Sequence, residues 1–244
     1  MKTADFLRVL DREGRLLAEA AELAGTDAKV PTCPGWQVAD LLRHTGVVHR
    51  WAAAFVAEGH LSFRPTEEPP ALDGAALTTW FREGHRQLVD TLTAAEPDVR
   101  CWHFLPAPSP LAFWTRRQAH ETTIHRLDAE AARGGTPTGI DPVFAADGID
   151  ELLLGFHDRA RSRARSPQPR VLRVRATDAD DAVWTVRLSE EPPAAARGGA
   201  GEADCEVAGP VAVLYPALWN RQPFPTVHGD ASVAALWQEK SAVT

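Results

Sequence analysis

The sequence predicts an α+β chain, with a bundle of long helices first and a small domain of mixed helix and strand after it. Two observations carry that reading. Within the first 133 positions, apolar residues recur at helical spacing in four stretches of about 20 residues. After the proline-bracketed segment RSPQPR (165–170) the period drops from that of a helix to the alternation of half-buried strands. The expected domains are therefore a helical bundle over 1–164 and an α+β domain over 165–244.

The first helix is expected over 3–25, where Phe6, Leu7, Leu10, Leu16, Leu17, Ala20 and Leu23 form one apolar stripe closed by Gly25. VPTCPGW follows, and its two prolines and glycine force a tight loop. A second helix is predicted from Val38 to Glu58, ending at Gly59, then a polar, proline-rich connection over 60–73. The third covers 74–96 and stops before Pro97, and the fourth runs from Leu111 to Arg133, closed by Gly134 and Gly135. Four such helices with short or moderate connections make a four-helix bundle. A fifth helix is expected from Pro142 to Arg163, with Asp141 as its N-cap. Beyond it, VLRVRAT (171–177) and AVWTVRL (182–188) read as paired strands, DCEVAG as a third, and 210–219 and 230–239 as helices.

Composition narrows the possible partners. The net charge is −7, so neither nucleic acid nor an anionic membrane is an expected partner. Arg159, Arg161, Arg163 and Arg165 are read as a solvated surface. The start, MKTADFLRVLDREGR, mixes charged with apolar residues and lacks the apolar core of a signal peptide, so a cytoplasmic location is expected. Cys33, Cys101 and Cys205 lie far apart without CxxC spacing, which argues against a disulfide framework or a cysteine zinc site.

The informative cluster is RRQAHETTIHRLDAE (116–130). Glu121 and His125 are four apart and project from one helix face about a turn apart. A carboxylate and an imidazole so placed can present two ligands to one metal ion, with a third supplied by a facing helix. In the second helix His44 shares a stripe with Leu41, Val47 and Val48, whereas His49 lies about 140° away, so His44 is the expected third ligand. An E-x-x-x-H pair is equally compatible with an exposed surface pair, and spacing alone leaves both readings open. His60, His85, His103, His120, His157 and His228 lack partner spacing and are read as structural.

Two blocks carry a family resemblance. TCPGWQVADLLRHTGVVHRWAAAF contains the pattern CPGW-x-V-x-D-L-x-x-H, and WTRRQAHETTIHRLDAE contains R-R-x-x-H-E-x-x-x-H-R-x-D. Together they resemble the mycothiol-dependent maleylpyruvate isomerase family of the DinB-like superfamily. The resemblance implies a DinB-like four-helix bundle and a sterol-carrier-like α+β domain. It also implies a divalent metal, commonly zinc, on His44, Glu121 and His125.

Further implications are an enzyme that uses mycothiol as co-substrate, and a small electrophilic or unsaturated substrate that is isomerised from cis to trans or joined to the thiol. The alternative is a non-catalytic, metal-carrying small-molecule binding protein. The expected partners are a low-molecular-weight thiol and a small substrate, with the chain a monomer or homodimer. Arg221, in LWNRQPFP, matches a region where the family carries an arginine and is the candidate catalytic residue, suited to holding a substrate carboxylate. Asp128 and Asp40 are candidates for hydrogen-bonding the ligand imidazoles. Trp36 is read as an anchor for its loop, and Cys33 as structural, since neither a helix N-terminus nor an adjacent base would activate it.

Overall fold

The computed structural model describes residues 1–243, which form seven α-helices and five β-strands. They gather into two compact units, one spanning Met1–Thr138 and the other beginning at Gly139.

The first unit is a four-helix bundle of α1 (Thr3–Ala24), α2 (Val38–Glu58), α3 (Gly74–Ala94) and α4 (Pro110–Arg133). These spans follow the predicted ones closely because each end carries local chemistry. Gly59 closes α2 in the left-handed conformation, which glycine adopts without strain. Ser109 caps α4 by accepting from the Ala112 amide. Helix α1 packs chiefly on α4 and α2 on α3, with further contacts of α1 on α3 and of α2 on α4. Leu17, Leu41, Leu42, Leu77 and Phe81 meet in the centre and are fully buried.

The connection between α1 and α2 folds back on itself. The Val38 amide donates to the Ala28 carbonyl, Val30 to Trp36, and Trp36 to Cys33, while Lys29 and Gln37 form an antiparallel bridge. Gly35 has φ +89°, the conformation that lets the chain reverse between Pro34 and Trp36. Cys33 and Trp36 pack against the bundle core.

The second unit holds a five-stranded mixed sheet in the order β3-β2-β1-β4-β5, made of β1 (Arg170–Ala176), β2 (Val183–Leu188), β3 (Ala194–Arg197), β4 (Cys205–Gly209) and β5 (Thr226–Gly229). Strands β1 and β4 run parallel and the other neighbours antiparallel. Leu172, Val174, Trp184, Val186 and Val207 are fully buried. Helix α6 (Val211–Leu218) packs on β1 and β4, and α7 (Ala231–Lys240) packs on β1, β4 and β5.

Three features depart from expectation. Strands β3 and β5 are additional to the three predicted. The fifth helix, α5, is regular only over Pro142–Asp150 and continues as a π-helical segment over Glu151–Phe156. Arg159, Arg163 and Arg161, Arg165 would be like-charge i,i+4 pairs in a helix, which disfavours its extension. Arg165 instead donates to the carbonyls of Ser162 and Ala160. The compact units also divide at 138/139 rather than 164/165, because α5 packs on α6 and Asp150 accepts from Trp184 Nε1 and Arg197 of the sheet. Among the described residues no helix is long and apolar enough to cross a membrane.

Candidate metal centre

Helix α4 carries the site because its face toward the bundle is polar. Thr122, Thr123, His125, Arg126, Asp128 and Glu130 are all buried. Such groups stay buried only when paired, and the pairings of the ionisable ones sort them into two sets.

The first set clamps α1 to α4. The Arg126 guanidinium, without solvent exposure, donates from Nε to Glu13 at 2.6 Å and from Nη1 to Glu130 at 2.7 Å and to the Thr138 carbonyl at 2.8 Å. Burial pushes the Glu13 carboxyl above its usual range, with Arg126 opposing. For Glu130 the hydrogen bonds of Thr138 and Arg126 outweigh burial, and its pKa is lowered.

The second set is the candidate centre. The ligating atoms of His44, Glu121 and His125 all lie within 4.8 Å of one another. Glu121 Oε1 is 3.3 Å from His44 Nε2 and 3.2 Å from His125 Nε2, while Glu121 Oε2 accepts from Arg117 at 2.9 Å. Burial raises the Glu121 pKa, but hydrogen bonds from His125 and His44 and the Arg117 charge prevail and hold it well below the usual carboxylate range. Burial lowers that of His125, yet its contacts with Asp128 and Glu121 prevail and raise it to about 9. The three predicted residues are thus brought together from α2 and α4.

His44 does not lie on the inward face of α2, contrary to expectation. His49 is the fully buried histidine of α2, and its Nε2 lies 2.9 Å from Thr122 Oγ1. The His44 side chain is 40% exposed. Val47 and Val48 are only partly buried, so their stripe flanks the bundle core rather than pointing into it. The cluster therefore lies at the rim of the bundle, with His44 and Glu121 partly exposed.

The candidates for hydrogen bonds to the ligand imidazoles also divide. Asp128 Oδ2 lies 2.9 Å from His125 Nδ1. Asp40 instead caps α2, accepting from the Gln37 amide, and pairs with Arg43. Trp36 does more than anchor its loop. Its ring meets that of His44 edge-on at 5.2 Å between centroids and lies nearly parallel to that of His125 at 6.3 Å. Thr32 and Arg117 escaped sequence reasoning, although both stand inside the signature blocks. Arg221 follows α6 in the second unit and donates to the Trp219 carbonyl at 2.8 Å. None of the three cysteines is in a disulfide, and burial pushes the thiols of Cys101 and Cys205 above their usual range.

Comparison with known proteins agrees with this architecture. No curated protein matches the chain. A crystal structure of a histidine-to-alanine variant of the mycothiol-dependent maleylpyruvate isomerase superposes with a TM-score of 0.64 at 13% identity, covering 91% of this chain and 90% of that one. A second crystal structure of the mycothiol-dependent maleylpyruvate isomerase gives 0.62 at 13% identity, covering 93% of each chain. At that identity the likeness shows a shared fold. The family profile described as the mycothiol maleylpyruvate isomerase N-terminal domain matches residues 7–130, which include nearly all of the four bundle helices and all three clustered residues, and the chain belongs to that family.

Proposed function

We propose that the chain is a metal- and thiol-dependent enzyme acting on a small unsaturated or otherwise electrophilic substrate, as an isomerase or a thiol transferase. The observation that supports this most directly is the convergence of His44, Glu121 and His125 at the open rim of the bundle. Two imidazoles and one carboxylate form a donor set typical of catalytic zinc sites, in which further positions stay free. The residues fit such an ion. Asp128 occupies His125 Nδ1, which leaves Nε2 facing Glu121 Oε1, and Arg117 occupies Glu121 Oε2, which leaves Oε1 for the cation. A divalent metal bound there would act as a Lewis acid that favours the thiolate form of a thiol near neutral pH.

The reactive sulfur is supplied from outside. Cys101 and Cys205 are buried with raised pKa values, and Cys33 is packed against the core. Family membership points to mycothiol as the thiol. Its sulfur, having lost its proton, adds to one carbon of an activated double bond, and the electron pair moves onto the conjugated carbonyl. Rotation about the new single bond and expulsion of the thiolate give the trans isomer, whereas protonation of the adduct gives a thioether. The names of the solved relatives make isomerisation the first activity to assay. Arg221 is assigned the substrate carboxylate, which a guanidinium can hold through two hydrogen bonds.

Purified protein should carry about one zinc per chain by elemental analysis, and His44→Ala should retain less than about a tenth of it. Equal, low metal content in both would defeat the proposal. With mycothiol and maleylpyruvate, loss of the cis substrate with no net thiol consumption identifies an isomerase. Stoichiometric thiol consumption identifies a transferase. Ligand-dependent thermal shifts without product would indicate a binding protein instead.

A further inference from the structure

The two signature blocks, 77 residues apart at their metal-directed histidine and glutamate, touch at a second place. Thr32, beside the CPGW turn, donates its hydroxyl to Asp128 Oδ1 at 2.6 Å, across 96 residues of sequence. Asp128, which has no solvent exposure, faces His125 Nδ1 through its other oxygen at 2.9 Å. The three groups form a chain from the loop to the imidazole. The loop that carries Thr32 is itself pinned by the Val30–Trp36, Trp36–Cys33 and Val38–Ala28 backbone bonds. Trp36, from the same loop, lies against the His125 ring with its plane only 16° away. His125 is therefore held at one ring nitrogen and along one face. His44 also meets the Trp36 ring, edge-on, but lacks the second anchor, since among the described residues its Nδ1 meets no hydrogen-bonding group.

We propose that Thr32 and Asp128 are positioning residues, and that the CPGW loop acts through them to fix the tautomer and tilt of His125 and so sets the affinity of the centre for its metal. The inference rests on the metal reading above. A neutral imidazole, the form that a metal ligand takes, presents its Nε2 lone pair when its Nδ1–H is engaged by a carboxylate, the geometry that orients metal-bound histidines. The Thr32 hydroxyl does the same for the carboxylate. Its hydrogen bond fixes which Asp128 oxygen faces the ring, and a buried carboxylate needs both oxygens engaged. The firmer ligand is then His125 and the more adjustable one His44, and the hydrogen-bonded path from the loop to the metal runs through α4.

The test uses the full chain. Zinc affinity is measured by competition with a chromophoric chelator, and the cobalt-substituted protein is followed by its visible ligand-field spectrum. Asp128→Asn should weaken zinc binding about 10- to 100-fold, and Thr32→Val about tenfold, with an altered cobalt spectrum in each. Thr32→Ser keeps the hydroxyl and should restore both. Zinc affinities and cobalt spectra equal to wild type in Thr32→Val and Asp128→Asn, with His44→Ala impaired, would overturn the inference while leaving the metal reading intact. A wild-type chain that binds neither ion defeats both. Should Asp128→Asn fail to fold, Thr32→Val and Thr32→Ser decide the matter alone, since they alter only a loop hydroxyl.

Discussion

Residues of one signature block turn out to serve different physical ends. His125 and Glu121 face the candidate metal, whereas Arg126, adjacent to His125, points the other way and joins Glu13 of α1 to Glu130. Replacing Arg126 by methionine keeps its bulk but leaves two buried carboxylates facing each other. Breaking a buried charge pair by removing one partner costs about 3–5 kcal/mol. Arg126→Met should accordingly lose about 3 kcal/mol or more in urea unfolding, and a loss below about 1 kcal/mol would mean that the clamp contributes little. At this scale the sequence was legible in part. The E-x-x-x-H spacing revealed the pair on α4 because i,i+4 geometry is local. The choice between His44 and His49 is tertiary, since it depends on how α2 is rotated against α3 and α4, and the apolar stripe misjudged that rotation. Thr32 was unreadable for the same reason, because its partner lies on α4, far along the sequence from the loop that carries it.

Among the elements, the four bundle helices were readable because periodicity, capping and glycine termini agree within each. Strand β3 was not, since its sequence is AAAR between a proline pair and glycines, with little intrinsic strand preference. It forms because β2 offers an unpaired edge. Strand β5 has only four residues, all exposed, and exists by pairing with β4. Close approach between helices leaves a sharper signature. A Cβ placed on Gly14 of α1 would come within 2.2 Å of the His85 ring of α3. Gly14→Ala should therefore destabilise the bundle by about 1–3 kcal/mol. In combination with His85→Ala the penalty of the added methyl should shrink, since the ring that it meets is gone. A double-mutant cycle by chemical denaturation checks this. Additivity within about 0.5 kcal/mol would show that the contact relaxes freely.

Over the whole molecule, both units bury neutral histidines. Burial lowers the pKa of His49, with His85 adding to it, and burial likewise lowers that of His85. Burial holds His157 at about 4, against partial compensation from the Ser241 backbone. A histidine with a depressed folded pKa is protonated more readily when unfolded. Its contribution is neutral above the ordinary value near 6.5 and becomes destabilising as the pH falls toward 4. The stability of wild type relative to His157→Gln should thus fall by about 2–3 kcal/mol between about pH 7.5 and 4.5. Unfolding followed at both pH values measures the difference, and a variant with the same acid sensitivity as wild type would remove His157 from the account.

The split origin of the three clustered residues has a thermodynamic consequence. Glu121 and His125 belong to α4 and His44 to α2, so an ion that joined them would be a cross-link between helices that otherwise meet through side-chain packing and the His49–Thr122 hydrogen bond. A ligand that binds the folded chain alone stabilises it by about 2.7 kcal/mol at 100 times its dissociation constant. On the proposed function, the persistence of the bundle would then be tied to the free metal ion around it. In a metal-poor medium a chain so loaded would lose, together with its Lewis acid, the bridge between α2 and α4, and would become correspondingly easier prey for proteolysis. Metal supply would thereby govern how much of the protein endures as well as how much of it is loaded.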